Sequence, residues 1–304
     1  MIRTSAVVSL SLCLATAWAS IPGMANYTAV WWDDFTGPAG SEVNQGLWNQ
    51  VDRPNNPNKE LEAYITGTST VQLTGTDDGE LRIIPYKTDR WYSGRLESKG
   101  TFTCPPGQSM VLQASIKFPN LDPNSGQSAG LWPAFWAMGN TIRLPQPDYQ
   151  PWPYNIEFDI AETANIHGNS ALGVMHYSDS ESPLNYKWYD YDSGKFHTWS
   201  FKIDLRNPDW TQQSLVWYAD GNEFNRITGD SFGTDPTTWN SIAQKAYFLI
   251  LNVAVGGGFP GYPWDQTTGG PDSAMTVEYV AVYQSIEGRP QAKLQKTHQV
   301  KPGA

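Results

Sequence analysis

Residues 155–165 read Asn-Ile-Glu-Phe-Asp-Ile-Ala-Glu-Thr-Ala-Asn, and the interpretation of the whole chain starts from this stretch. Glu157 and Asp159 alternate in it with Phe158 and Ile160. An alternation with a period of two is typical of a β-strand that has an apolar face on the core and a polar face on the other side. The stretch therefore predicts a strand whose acidic residues share one face.

Glu162 is out of step with this alternation, because it lies five residues after Glu157 and would point into the core from a regular strand. An unpaired carboxylate is very costly there. A one-residue bulge near Ile160 or Ala161 restores the parity, and bulges often re-aim side chains beside active sites. We therefore predict such a bulge, with Glu157, Asp159 and Glu162 on one side of the strand.

With the bulge, the two glutamates lie about four strand steps apart, which is roughly 13 Å at the backbone. Side chains that lean inward shorten this separation. Two carboxyl groups about 5 to 5.5 Å apart serve a retaining glycosidase as nucleophile and acid/base. The alternative is a solvated acidic strand face, and the three acids alone do not decide between the two.

The composition narrows the class of partner. The chain has 304 residues, of which 13% are aromatic and only 16% are charged, so its surface relies on neutral polar groups and exposed rings. Its formal net charge of −10 argues against binding to nucleic acid or to an anionic membrane, because both select basic patches. A neutral polysaccharide remains compatible with these numbers.

Both ends of the chain are predicted to lie outside the folded domain. Residues 1–19 combine an early arginine, an apolar run too short to span a bilayer and a small-x-small cleavage site, which predicts a signal peptide and a secreted protein. Residues 285–304 predict a disordered tail or a remnant of expression engineering, which leaves residues 20–284 as one domain. Cleavage would leave Cys104 alone, and we interpret it as a buried small apolar residue rather than a reactive thiol.

Between these ends the sequence alternates short strand-like runs with turns rich in Gly, Pro, Asn and Asp, and it lacks long helical periodicity. Residues 110–118 predict a half-buried strand, and residues 247–255 predict a strand buried on both faces before a glycine loop. Residues 196–204 and 215–221 predict a hairpin pair, with Asp-Gly as the next turn. The pattern indicates an all-β sandwich of two sheets.

Several blocks of this chain resemble glycoside hydrolase family 16, in the laminarinase-like branch that has the longer, bulged acidic motif. The blocks are N-x-E-L-x-x-Y at residues 58–64, S-G-R at residues 93–95, W-P-A-F-W at residues 132–136, E-x-D-x-x-E at residues 157–162 and N-x-A-V-G-G at residues 252–257. The resemblance covers roughly residues 29–284. It implies a β-jelly roll of two antiparallel sheets with a concave substrate cleft.

The resemblance also implies a role for each acid of the central strand. Glu157 is the expected nucleophile and Glu162 the expected general acid/base. Asp159 is expected to support the nucleophile and its protonation, through a hydrogen bond to Glu157. Of the two glutamates, we expect Glu162 to hold the proton at the start of the cycle, because mutual repulsion raises the affinity of one member for a proton.

Six further residues are candidates for substrate binding: Asn58, Glu60, Arg95, Trp132, Trp136 and His176. Each has a structural alternative. Arg95 either hydrogen-bonds sugar hydroxyls or holds a carboxylate in place. The two tryptophans either stack on sugar rings or belong to the core, and the histidine either reaches the site or is structural.

The function implied is that of a secreted, endo-acting, retaining hydrolase of β-1,3-glucan, with mixed-linkage β-1,3-1,4-glucan as a second substrate. Alternatives are a non-catalytic glucan-binding protein of the same fold, a family 16 enzyme for galactan or xyloglucan, and a structural sandwich. No cofactor and no metal in the active site are expected. A structural calcium near Glu278 stays open, and the protein is expected to be a monomer.

Overall fold

Short runs of β-branched and aromatic residues form two large antiparallel sheets in the computed structural model, which describes residues 21–75, 79–178 and 184–286. The predicted signal peptide and nearly all of the predicted tail lie outside these residues. In chain order the strands of the described part are β1 (Tyr27–Asp33), β2 (Trp48–Gln50), β3 (Glu62–Tyr64), β4 (Val71–Leu73), β5 (Leu81–Ile83), β6 (Tyr86–Lys87), β7 (Trp91–Ser93), β8 (Arg95–Ser98), β9 (Ser109–Lys117), β10 (Leu131–Gly139), β11 (Glu157–Thr163), β12 (Ser170–His176), β13 (Leu184–Asp190), β14 (His197–Asp204), β15 (Ser214–Ala219), β16 (Asn222–Thr228), β17 (Tyr247–Val255) and β18 (Met275–Ser285).

Helices are short. The α-helix α1 (Pro236–Ala243) begins after Asp235, whose side chain accepts a hydrogen bond from the amide of Thr237 and so caps the helix. The 3-10 turns are Gly126–Ser128, Asn140–Arg143, Asn165–His167, Trp210–Gln212, Gly229–Phe232 and Pro271–Ser273. No helix within the described residues is long and apolar enough to cross a membrane.

The two sheets divide the structure into a front and a back layer. The front sheet has the strand order β13-β12-β11-β10-β17-β8-β2, with β11 near its middle. The back sheet has the order β16-β15-β14-β9-β18-β5-β4, and β1 pairs with β18. A small third sheet, β3-β7-β6, completes the fold. The acidic strand therefore lies in the front sheet.

Large aromatic side chains fill the space between the sheets. The ring of Phe158, on the inner face of β11, lies 4.4 Å from that of Phe201 and 4.8 Å from that of Tyr247, measured between ring centroids. All three side chains are fully buried. The apolar residues that alternate with the acids therefore hold the acidic strand against the back sheet.

Several strand predictions are confirmed and one is wrong. β14 and β15 pair antiparallel, and the Asp220-Gly221 turn that follows has positive φ at both residues. β17 is buried along its whole length. β9, predicted to be half-buried, is buried at all but its last residue. The reason is that Ile21, Met24 and other residues near the start of the described chain pack over its outer face at Val111.

Two smaller predictions have outcomes as well. Cys104 is buried, which confirms that part of the prediction. Its thiol donates to the carbonyl of Ile203 at 3.6 Å, and burial raises its pKa to about 12. The last strand extends to Ser285, which is buried and accepts a hydrogen bond from the amide of Ser109. The last strand thus extends one residue beyond the predicted boundary at Gln284.

Candidate active site

The predicted bulge is present in β11, and Ile160 is the inserted residue. Trp136 of the neighbouring strand pairs with Asp159, while the adjacent Phe135 pairs with Ala161, so the register skips one position. The pairing with β12 on the other side shifts at the same place. Ile160 and Ala161 are both completely buried in the core. Two consecutive inward residues are what restore the parity of the strand after the bulge.

The bulge brings Glu157, Asp159 and Glu162 to the same side, where all three line a cleft of about 780 Å³ on the front sheet. Asp159 and Glu162 are 5% and 7% exposed, so both acids are almost completely buried at the floor of the cleft. The parity argument made from sequence is confirmed by this placement.

All six predicted binding residues line the same cleft: Asn58, Glu60, Arg95, Trp132, Trp136 and His176. Trp132 and Trp136 are half-buried, with the rings at the cleft surface rather than in the core between the sheets. The loop of residues 141–154, predicted to form the rim, contributes Ile142, Arg143 and Trp152.

The three acids share a buried and negatively charged environment. Burial raises the pKa of each of them above its ordinary value. The charge of Asp159 adds to this effect on both glutamates, whereas positive charge on His176 acts in the opposite direction. Arg95 also lowers the pKa of Glu157. Three such carboxyls titrate as a unit, and the unit holds protons at a pH where an exposed glutamate has lost its own.

Each acid has a different immediate neighbour. The indole Nε1 of Trp132 donates a hydrogen bond of 2.8 Å to Oε2 of Glu162. Oδ2 of Asp159 lies 3.3 Å from Nε2 of His176. One oxygen each of Glu157 and Asp159 and a ring nitrogen of His176 lie within 4.8 Å of one another. The predicted hydrogen bond between Asp159 and Glu157 stays a prediction, since the contact described for the Asp159 carboxylate is with the histidine.

Arg95 holds a carboxylate, but that carboxylate belongs to Glu97 and not to β11. Nε and Nη2 of Arg95 donate to Oε1 of Glu97 at 3.0 and 2.7 Å, and Arg143 donates to the other oxygen at 2.6 Å. The Arg95 guanidinium also lies 4.7 Å from the centroid of the Trp136 ring. This network fixes one face of Trp136 and places positive charge beside the cleft.

A glycine loop after β17 closes the other wall of the cleft. Gly257 has φ of +114°, and a Cβ on it would lie 3.1 Å from the carbonyl oxygen of Asn58 and 3.6 Å from the ring of Trp132. The amide of Asn58 is bonded to Oε2 of Glu60 at 2.7 Å. The close approach of the glycine backbone therefore places the loop of residues 53–60 against the catalytic face.

Other cleft residues had weaker signals in the sequence. Glu97 shares the parity of Arg95 two positions earlier, and Asn252 is a polar residue inside an otherwise apolar buried strand. Phe259 follows three consecutive glycines, and its ring centroid lies 5.2 Å from that of Trp132. Trp152 comes from the proline-rich rim loop and lies 5.8 Å from the ring of His176.

Known proteins are similar to this chain in both sequence and fold. The crystal structure of an endo-1,3-β-glucanase from Streptomyces sioyaensis is 30% identical, covers 88% of this chain and 99% of its own, and superimposes with a TM-score of 0.78. The chain belongs to glycoside hydrolase family 16. Its similarity to laminarinases and endo-1,3-β-glucanases places it in the laminarinase-like part of that family.

Two further relatives agree with this family 16 assignment. The endo-β-1,3-glucanase of Pyrococcus furiosus is 27% identical over 86% of this chain and 96% of its own, with a TM-score of 0.65. The glucan endo-1,3-β-glucosidase A1 of Niallia circulans is 26% identical over 286 residues. That alignment takes in 86% of this chain but only 38% of the longer relative. No protein-family model matches the chain. The family 16 structures confirm the predicted β-jelly roll.

The surroundings of Glu278 bear on the structural calcium that the sequence analysis left open. Glu278 accepts a hydrogen bond of 2.5 Å from Ser115. Among the described residues, the only group of three acidic, histidine or cysteine ligand atoms is that of Glu157, Asp159 and His176, in the cleft. A calcium ion takes six to eight oxygen ligands. Calcium binding near Glu278 therefore stays a prediction.

Proposed function

We propose that this family 16 chain is an endo-acting, retaining hydrolase of β-1,3-glucan, with mixed-linkage β-1,3-1,4-glucan as a second substrate. The observation that carries the proposal is the bulged strand, which presents Glu157 and Glu162 to one cleft beside the ring of Trp132. A merely solvated acidic face would not need the bulge, the burial or the indole donor.

The shape of the cleft supports action within a chain. Side chains from β8, β17, β10, β11 and β12 line it, and these five strands are neighbours in the front sheet. At about 4.8 Å between strands, the cleft extends roughly 19 Å across the sheet. Such a length suits several consecutive sugar units better than one terminal residue.

Two displacements make up the proposed reaction. In the first, the carboxylate of Glu157 attacks the anomeric carbon while Glu162 gives its proton to the departing glycosidic oxygen, so a glycosyl-enzyme ester forms and the glycosidic bond breaks. In the second, Glu162 takes a proton from water, which attacks the same carbon and releases Glu157. Two inversions give net retention, and Glu162 is ready for another cycle.

The neighbouring side chains support the different roles proposed for the two glutamates. Burial and the charge of Asp159 raise the pKa of Glu157, while positive charge on His176 and on Arg95 acts in the opposite direction and favours the ionised nucleophile. Glu162 has a neutral donor, Trp132, which orients the carboxyl without adding charge. Asp159 and His176 lie 3.3 Å apart beside the nucleophile and fix each other's orientation.

The remaining expectations are part of the same proposal. We propose that the protein is secreted, because its first 19 residues have the features of a signal peptide. It acts as a monomer on a neutral glucan, without a cofactor and without nucleic acid or membrane as a partner. The net charge of −10 supports the expectation about nucleic acid and membrane, and the aromatic cleft supports the glucan.

Product analysis on laminarin, lichenan and agarose tests the proposal. We expect laminarin to be cut internally into a ladder of short oligosaccharides, lichenan to be cut more slowly, and agarose to stay intact. Glu162→Gln is the matched control, since it keeps the shape of the side chain and removes the acid. Tight binding of laminarin by the unmodified protein without any cleavage would instead identify a glucan-binding protein.

A further inference from the structure

Glu97 is a carboxylate in the cleft that the proposed reaction does not use. It lies in β8 and contacts two arginines, Arg95 on the same strand and Arg143 at the end of a 3-10 turn in the rim loop. Nε and Nη2 of Arg95 donate to its Oε1 at 3.0 and 2.7 Å, and Nη2 of Arg143 donates to its Oε2 at 2.6 Å. A carboxylate has about four acceptor positions. Three of them are filled by the arginines, so Glu97 has little capacity left for a sugar hydroxyl.

The two arginines hold Glu97 in its ionised form. Burial raises the pKa of this carboxyl, but the charge of Arg95 and the hydrogen bond from Arg143 lower it by more, so that it lies below its ordinary value. An ionised carboxylate only accepts hydrogen bonds, and a guanidinium only donates them. The three side chains therefore fit together without a conflict, and charge strengthens each of their hydrogen bonds.

On the floor of the cleft, this contact orients Arg95. Its guanidinium lies 4.7 Å from the centroid of the Trp136 ring, and the edge of that ring donates to Asn252 at 2.7 Å. Glu97 occupies Nε and Nη2 of Arg95, while no contact within the described part of the chain occupies Nη1. Because Arg95 lines the cleft, Nη1 remains as a donor for a sugar hydroxyl.

On the rim, the same carboxylate holds the turn Asn140–Arg143 against the sheet. Nη1 of Arg143 donates to the carbonyl of Ser98 at 3.1 Å, and its guanidinium lies 3.3 Å from the centroid of the Phe248 ring. Ile142 packs on the cluster that contains Phe248. The rim turn therefore lies over β8 and β17 and forms a wall of the cleft there.

This end of the cleft is remote from the bond that breaks. The strands follow one another in the order β11-β10-β17-β8, so β8 lies three strands away from the acids. At about 4.8 Å between strands, this separation is roughly 14 Å. Only a glucan of several sugar units reaches both the acids and β8.

We propose, on the basis of the glucanase function proposed above, that Glu97 is a positioning residue for the binding of long glucans at the β8 end of the cleft. It joins Arg95 on the floor to Arg143 on the rim, and it fixes the orientation of both. Its effect on the reaction passes through these two arginines, and it concerns the sugar units farthest from the acids on this side.

Glu97→Gln is the informative change, because it keeps the shape of the side chain and replaces one acceptor oxygen with a donor. Whichever way the glutamine amide turns, its NH₂ meets an N–H of Arg95 or of Arg143. We expect KM for laminarin to rise about tenfold, the equivalent of about 1.4 kcal/mol. The value of kcat should change less than about twofold, since the reacting atoms are untouched.

Substrate length separates positioning from general destabilisation. An activated aryl β-glycoside of one or two sugar units does not reach β8, so Glu97→Gln should change its kcat/KM less than about twofold. A variant that is merely less folded loses the same fraction of activity on every substrate. An equal loss on the short and the long substrate would overturn the proposal, as would an unchanged KM for laminarin.

Asp204→Asn is the matched control, because Asp204 is also a carboxylate shared by two cations. Nε and Nη2 of Arg206 donate to it at 2.9 and 2.6 Å, and Nζ of Lys202 lies 3.3 Å away. The aspartate belongs to β14 of the back sheet and does not line the cleft. This variant should lose stability as Glu97→Gln does and keep KM and kcat for both substrates.

Arg143→Gln tests the same contact if Glu97→Gln folds poorly, since Arg143 is the more exposed partner. We expect KM for laminarin to rise about threefold, with the short substrate unaffected, and an unchanged KM would overturn the proposal. In the double variant, KM should rise little above that of Glu97→Gln, because both changes break one shared link. An unmodified protein that fails to cut laminarin contradicts the proposed function. Loss independent of substrate length, in an enzyme that does cut it, contradicts only the role of Glu97.

Discussion

Replacing Trp132 with Phe tests the link between a cleft ring and the acid that we propose protonates the leaving group. The indole Nε1 of Trp132 donates 2.8 Å to Oε2 of Glu162, which is 7% exposed. A phenyl ring keeps an aromatic surface beside Phe259 but has no N–H to donate. The change therefore removes one hydrogen bond to the carboxyl while a ring remains for the sugar.

The size of the effect follows from the difference between charged and neutral acceptors. A hydrogen bond to an ionised group contributes about 1.5 to 3 kcal/mol, and one to a neutral group about 0.5 to 1.5 kcal/mol. Loss of the donor thus disfavours the ionised form of Glu162 by roughly 1 to 1.5 kcal/mol more than the protonated form. At about 1.36 kcal/mol per unit, the pKa of Glu162 should rise by about one unit.

The pH dependence of kcat/KM on a laminarin oligosaccharide measures this rise. The first chemical step needs Glu162 protonated, so a higher pKa keeps the acid form present to higher pH, and the basic limb of the profile should move up by about one pH unit. Trp136→Phe is the matched control, because its N–H goes to Asn252 and not to an acid. An unmoved basic limb in Trp132→Phe, or an equal movement in the control, would refute the assignment of Glu162 as the acid.

Other changes give independent outcomes. The free energy of unfolding should fall as pH rises from about 4.5 to about 8. The reason is that buried acids such as Glu62, with a folded-state pKa of about 8, keep protons that the unfolded chain has already released. Calorimetry across that range checks the sign, and the Glu62→Gln variant should show a shallower dependence of stability on pH. Glu162→Gln should raise the melting temperature at pH 8 by a few degrees, equivalent to about 1 to 2 kcal/mol, since it removes a buried charge from the acidic cluster, and an unchanged or lower value would contradict that reading. Phe158→Ala should cost about 3 to 5 kcal/mol in urea unfolding, because its ring packs between the two sheets. Dialysis against EDTA should leave kcat unchanged, and recovery of lost activity by calcium would show that a metal is needed.

Parity explains why the central part of the site could be predicted from sequence. Glu162 lies five positions after Glu157, and no regular strand places both on one face, so a bulge was the arrangement that avoided a buried unpaired acid. The structure places it at Ile160. The alternating residues Phe158 and Ile160 predicted the apolar face of the same strand in the same way. These features depend on local periodicity, which can be seen directly in the sequence.

The partners across the cleft depend on contacts between distant segments and could not be predicted in this way. Asp159 meets His176 from β12, and Glu62 meets Val255, which lies 193 residues away. Arg95 was left between two roles because the network around its neighbour Glu97 is completed by Arg143, which lies 46 residues further along the chain. The burial of β9 was mispredicted for the same reason, since residues near the start of the described chain cover it.

Azide rescue of Glu162→Ala tests the central claim most directly, because it identifies both the acid/base and the face from which the sugar is attacked. On an activated aryl β-glycoside, whose leaving group needs no proton, Glu157 should still form the glycosyl-enzyme, and azide should then attack it without help from a base. We predict that azide restores turnover and yields the β-glycosyl azide. The α-glycosyl azide from this variant, which arises by a single displacement, would contradict the assignment and show that Glu162 is the nucleophile.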